Sequence, residues 1–180
     1  MIIALFLAIF LVSVCVFVYG LAIKGVDRYE PEPWWLLVVC FFWGALGATF
    51  GSLIFNTIGG SVVYSAMGQS QAASGLTASF IAPPVEESFK GCFLLVVWAA
   101  SAFWLKELDG ALDGASYGGV IGLGFTLTED VLYIMRGTSS GGLAAFTIIF
   151  FLRTILGGLG HATFTAMTGV GVGIAAESRN

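Results

Sequence analysis

The chain has 180 residues, of which 58% are hydrophobic and only 10% charged, with a formal net charge of −4. Mean hydropathy is +0.96, far above what a water-soluble domain of this length shows, so the composition defines an integral membrane protein. A nucleic-acid partner is excluded, because no basic patch is available to neutralise phosphates.

The first apolar run, Ile2 to Ile23, is roughly 22 residues without a charge, enough to cross ~30 Å of hydrocarbon at helical rise. It lacks the basic leader and small-residue cleavage site of a signal peptide and reads as a retained anchor. Lys24 to Pro33 is charged and proline-bearing, and Trp34-Trp35 follow where an interfacial aromatic belt belongs. The second span is expected over about Trp34 to Ile58. Gly59 to Ser79 carries no charge and reads as a flexible loop or a re-entrant segment lining a cavity. The third span covers about Phe80 to Phe103 and is followed by the polar, acidic stretch Trp104 to Leu112.

The fourth span is expected over Leu112 to Ile134, and Arg136 to Gly142 is a short Gly/Ser turn. The fifth, Leu143 to Ala175, is longer than a membrane needs, which predicts an interfacial start near Gly141-Gly142 or a bend at Gly157-Gly158. The fold class is therefore all-α, a polytopic transmembrane helix bundle of about five spans, read as one domain over 1–180. A barrel would show short alternating strands instead.

Lys24, Arg28, Lys106 and Arg179 fall on one face and Arg136 on the other. The positive-inside rule then puts the amino terminus outside and the carboxyl terminus in the cytoplasm. Gly114, Gly118 and Gly122, and Gly169, Gly171 and Gly173, have the spacing of close helix contacts. Cys15, Cys40 and Cys92 lie in apolar runs, form no C-x-x-C pair and read as packing residues.

Three spans carry ionisable groups at membrane depth, where each alone costs several kcal/mol. The third has Glu86, Glu87 and Lys90 within Ala82-Pro83-Pro84-Val85-Glu86-Glu87-Ser88-Phe89-Lys90. On a helix Lys90 is one turn from Glu86 and three residues from Glu87, so one cation is expected to serve both acids. The fourth has Glu129 and Asp130. The fifth has Arg153 and His161, the single histidine, with Thr165 one turn on. Taken one at a time, Glu129-Asp130 reads as a solvated helix end, Arg153 as a snorkelling or counter-charge residue, and His161 as a structural hydrogen-bonding group. Together they predict convergence on one wet cavity.

Two chemistries suit such a set. A partly desolvated glutamate activates water while His161 or Lys90 steadies an oxyanion; alternatively Glu86, Glu129 and His161 form a three-ligand metal site with an open position. No serine or cysteine is paired with histidine and acid as in a nucleophilic triad, and one histidine cannot make H-E-x-x-H. A proton-coupled transporter would use similar groups, although no inverted repeat is visible. A non-catalytic scaffold binding helices in the same cavity is the third alternative.

Four stretches in order carry a resemblance. They are Asp27-Arg28-Tyr29-Glu30-Pro31-Glu32-Pro33; Ala82 through Lys90; Asp113-Gly114-Ala115-Ser116-Tyr117-Gly118 leading to Gly122-Leu123-Gly124-Phe125 and Glu129; and Arg153 with His161 through Gly169. On these the chain resembles the PrsW family of intramembrane proteases, distant relatives of the CAAX prenyl proteases. The resemblance implies a membrane-embedded peptidase that cuts a membrane-anchored protein, such as an anti-sigma factor, near its extracytoplasmic side. It implies that Glu86 activates water with Glu87 as partner, that Glu129 stands where CAAX proteases have a histidine, and that His161 is the second-histidine position. Asp130 stands where this family usually has Asn, Lys90 comes one residue before the arginine of the CAAX branch, and Thr165 replaces that branch's Asn or Asp. Many relatives carry spans beyond the point where this chain stops, so a short member or a piece of a longer protein is expected. The expected enzyme is a glutamate-dependent endopeptidase in which Lys90 and Arg153 support the acids. No cofactor is expected, since Lys90 beside Glu86 and Glu87 would repel a cation; a zinc-type site at Glu86, Glu129 and His161 is the alternative.

Overall fold

A computed structural model describes residues 1–26 and 32–178. Among these the regular structure is helical. Four runs are long and apolar enough to cross a membrane: Ile2–Gly25, Trp34–Met67, Gln71–Leu105 and Ala111–Glu177. The last is doubled back on itself. Gly142 sits at φ +60°, ψ −149° inside the run Ala111–Ile149 and reverses the chain, a conformation open to glycine and strained for other residues. The expected count of about five thus corresponds to four continuous runs, the fourth with two legs. We label α1 Ile2–Val26, α2 Trp34–Met67, α3 Gln71–Leu105, α4 111–141, α5 143–156 and α6 Gly160–Glu177. The break between α5 and α6, at 157–159, falls where Gly157-Gly158 predict a bend.

The segment Gly59 to Ser79 departs from the loop reading. It is helical except for a turn at 68–70, so α2 and α3 extend past the apolar runs that mark them in the sequence. Gly68, at φ +72°, ends α2, and the Ser70 hydroxyl accepts from the Ala73 N–H at 3.1 Å to start α3. The hydroxyl-rich composition suggests a loop, but Ser and Thr on a helix satisfy themselves on backbone carbonyls of their own chain. Asp27 to Pro31 of the first matched stretch, including Arg28, and Arg179 lie outside the described residues. Glu32, at the end of that stretch, accepts a hydrogen bond from the buried Tyr117 hydroxyl of α4.

Two packing features set the site. α1 presents Ala8, Val12 and Val16, four residues apart, to Leu123, Ile134 and Phe146 of the α4–α5 hairpin and leaves its other faces to lipid. α4 and α6 run antiparallel with almost nothing between their backbones. A Cβ on Gly169 would lie 1.8 Å from the Gly114 carbonyl oxygen, and one on Gly122 would lie 2.5 Å from the His161 carbonyl oxygen. On the opposite side of α4, a Cβ on Gly124 would meet the Phe41 carbonyl oxygen of α2 at 2.0 Å.

Local irregularity does the aiming. α2 passes through a π-helical turn, Trp43–Ala48, and there the Ala45 carbonyl takes the Thr128 hydroxyl of α4 at 2.7 Å. α3 widens to another over Thr77–Ile81, just before Pro83 and Pro84, whose missing N–H groups deny the preceding turn its usual donors. Glu86 and Glu87 follow within a turn. Trp43 then locks α2 to α3, donating to the Phe89 carbonyl at 3.0 Å and stacking on Phe93 with ring centroids 4.9 Å apart.

Backbone contact at Gly169 predicts that Gly169→Ala destabilises the purified protein by about 1–3 kcal/mol. At Gly171, which has nothing within 4 Å of a built Cβ, Gly171→Ala should instead be neutral or stabilising by up to about 1 kcal/mol. Thermal melts of the two variants in one detergent check the opposite signs.

Candidate active site

Eight side chains from four helical segments form one continuous line of contacts. Thr165 of α6 donates to Glu87 Oε2 at 3.1 Å, and Glu87 Oε1 takes the Lys90 ammonium at 2.7 Å. Lys90 Nζ is also 2.9 Å from His161 Nδ1, and His161 Nε2 is 2.8 Å from Glu129 Oε2. Arg153 of α5 then bridges Glu129 and Asp130, with its Nε 3.0 Å from Asp130 Oδ1. Thr154 closes the line, donating to Asp130 Oδ2 at 2.8 Å. Asp130 and Lys90 are buried, Lys90 completely.

Lys90 serves the two acids unequally. Its direct contacts are Glu87, His161 and the face of Phe125, 4.0 Å from the ring centroid, and its charge reaches Glu86 only at longer range. Since an ammonium only donates, Nδ1 of His161 is the acceptor and the ring proton sits on Nε2, facing Glu129. Arg153 is the counter-charge for Glu129 and Asp130, and it stacks on Tyr133 at 3.9 Å. The solvated-helix-end reading of Asp130 fails, because its carboxylate is 2% exposed and ion-paired.

Glu86 stands off this line. Its hydrogen bond is a long one, 3.4 Å, from the Asn56 amide of α2. Glu86 and Glu129 both line a cavity of about 810 Å³ that runs along α2 and the start of α3 to Gln69 in the 68–70 turn. Glu87 and His161 belong to the line of contacts but not to the cavity wall. The sequence reading joined the four acids, Lys90, Arg153, His161 and Thr165. It passed over Asn56 and Thr154, although a lone amide inside Leu53-Ile54-Phe55-Asn56-Thr57-Ile58 is itself a signal at membrane depth.

The donor set fits a divalent cation. One carboxylate oxygen each from Glu86 and Glu129 and one nitrogen of His161 lie within 4.8 Å of one another. Four carboxylates here face two directly paired cations, Lys90 and Arg153, with Arg136 further along the cavity wall, so negative charge stays in excess and a divalent ion would offset it. Against this, a metal on Nε2 requires the ring proton to move to Nδ1, where it faces Lys90. Cys15, Cys40 and Cys92 take no part in this donor set.

A polytopic helix bundle that gathers carboxylates, an imidazole and two cations beside a polar cavity belongs to the class of membrane proteins with a buried ionisable site. The comparisons narrow that class. The model of a family described as PrsW family intramembrane metalloprotease matches residues 32–180. Protease PrsW of Geobacillus kaustophilus (strain HTA426) is 28% identical over 149 residues, which is 79% of this chain and 55% of that protein. The chain thus spans about half the length of this relative. No solved structure matches it. The chain belongs to the PrsW family of intramembrane proteases, with α1 lying before the matched region.

Removing one partner of a buried ion pair leaves an uncompensated charge. Arg153→Met is expected to cost about 3 kcal/mol of stability, and adding Asp130→Asn should recover part of it. Denaturation of the single and double variants in mixed micelles measures the coupling.

Proposed function

We propose that this chain is the catalytic region of an intramembrane endopeptidase that hydrolyses a membrane-anchored protein, with Glu86 as the group that takes the proton from water. The observation that carries this reading is that Glu86 is the carboxylate on the cavity wall standing off the ion-paired line. A base must be free to accept a proton, and one held only by a long amide contact is. Both oxygens of Glu87 are engaged by Lys90 and Thr165, so Glu87 positions Lys90, and Lys90 holds the imidazole. His161 and Glu129 each bring an atom within 4.8 Å of a Glu86 oxygen; the imidazole N–H, or a cation held with the two carboxylates, would be the group that polarises a carbonyl there.

Glu86, Glu129 and His161 are the residues that would hold a divalent ion such as zinc, as the family description implies. When bound there it would supply Lewis-acid polarisation of the scissile carbonyl. A reading without an ion is favoured by Lys90 on Nδ1. The charge excess favours the ion. The substrate class follows the family resemblance, a membrane-anchored protein such as an anti-sigma factor.

Glu86→Gln keeps size and hydrogen bonding but cannot act as a base. It should abolish cleavage of single-span substrates while leaving the melting temperature close to wild type; undiminished turnover would move the base elsewhere. Purified wild type should carry about one divalent ion per chain, lost together with activity on chelation and in His161→Ala. If metal content stays low and activity survives chelation, the ion-free form is selected, with His161→Ala then slowing turnover on the order of 100- to 1000-fold.

For orientation, we propose the amino terminus outside and the carboxyl terminus in the cytoplasm. Lys24 and Lys106 share one end of the bundle, and the 68–70 turn with Gly142 marks the other, nearer Glu86. In a background with the native cysteines replaced, Ser70→Cys should react with an impermeant thiol reagent added to intact cells and Asp109→Cys should not. The opposite pattern inverts the topology.

A further inference from the structure

The wall that α2 and α3 give to the cavity is rich in hydroxyls, yet each directs its proton inward. Thr57 donates to the Leu53 carbonyl at 2.7 Å, Ser61 to Ile58 at 2.7 Å, Ser65 to Val62 at 2.8 Å and Thr77 to Ala73 at 2.9 Å. The remaining hydroxyls of this wall are spent the same way, on a backbone carbonyl or on a neighbouring hydroxyl. With their protons committed, these oxygens turn lone pairs toward the cavity. Asn56 adds the strongest acceptor. Its Nδ2 points to Glu86, and its Oδ1 is buried without a partner. A buried carbonyl oxygen in that state lacks a donor, and a turn of the amide about its last side-chain torsion would present it to one supplied by whatever enters.

Water meets such a wall indifferently, since it both donates and accepts. A polypeptide in helical form offers it nothing, because its N–H groups are already bonded within the helix. An unwound segment exposes N–H donors along its length. We propose that this wall is a docking strip for the backbone N–H groups of a locally unwound substrate segment, with Asn56 the acceptor that fixes the residue next to Glu86. Recognition through backbone donors selects small, helix-poor sequence near the membrane surface over any particular side chain. The strip rests on the peptidase reading for its purpose, but its binding is measurable without turnover.

The probe is a synthetic single-span peptide with a Gly/Ala/Ser juxtamembrane segment, alone and with its backbone amides N-methylated one at a time. Its binding to the full chain carrying Glu86→Gln is measured in nanodiscs. One N-methyl position should weaken binding about 10-fold, the worth of one hydrogen bond to a buried acceptor. In Glu86→Gln with Asn56→Ala, the unmodified peptide should bind about 10-fold more weakly, and that same N-methyl group should then cost less than about 2-fold. Equal N-methyl costs with and without Asn56 would overturn the assignment of Asn56, and absence of binding, or binding indifferent to every N-methyl group, would overturn the strip. If Asn56→Ala does not fold, the N-methyl series on the folded protein still decides the matter. Peptide that docks as described and is never cut by wild type would sink the peptidase reading and leave the strip standing.

Discussion

Charge in a membrane interior is tolerable only when it is answered nearby, and the line from Thr165 through Glu87, Lys90, His161, Glu129, Arg153 and Asp130 to Thr154 answers it in alternation. All the links but Glu87 to Lys90, which lies within α3, cross between helical segments: α6 to α3, α3 back to α6, α6 to α4, and α4 to α5. The tertiary arrangement and the site are therefore one object. A helix displaced by a turn would strand an acid or a base in hydrocarbon, so the network specifies register as well as chemistry.

The network in turn depends on how closely the helices approach. The link that crosses from α6 to α4, His161 to Glu129, forms where glycine lets the two helices meet at their backbones, with Gly114 against Gly169 and Gly122 against the carbonyl of His161. The π-turns serve the same end from the other side. One frees the Ala45 carbonyl for Thr128, and the other carries α3 past two prolines with Glu86 facing the cavity. With Glu86 kept off the network, the bundle pairs Glu87, Glu129 and Asp130 internally and leaves Glu86 on the cavity wall.

Much of this was legible in the sequence, for identifiable reasons. Apolar runs marked every membrane crossing, since hydropathy acts over the whole span. The ionisable set was found because each member is costly alone. The Gly59 to Ser79 stretch reads as either a loop or a cavity-lining segment, because its Ser, Thr and Gly content is shared by loops and by membrane helices that line polar cavities; it lines the cavity, as helix on either side of the 68–70 turn. For Lys90, helical spacing indicated both acids; the direct pair with Glu87 was among them, whereas the contact with His161, which lies 71 residues away in sequence, was not legible. Asn56 was overlooked as one amide among apolar neighbours, although its position in the run deserved the same scrutiny as a charge.

The central claim is convergence: groups from α3, α4 and α6 meet at one point. Cysteine cross-linking in native membranes tests it most directly. In a background with Cys15, Cys40 and Cys92 replaced, Glu86→Cys paired with His161→Cys should form a cross-link in high yield with a short thiol-to-thiol bridging reagent, because the two longer side chains they replace bring a carboxylate oxygen and a ring nitrogen within 4.8 Å of each other. Glu86→Cys paired with Ala176→Cys, at the far end of α6, should form none. Failure of the first pair to cross-link while both thiols remain reactive to a small water-soluble reagent would contradict the account.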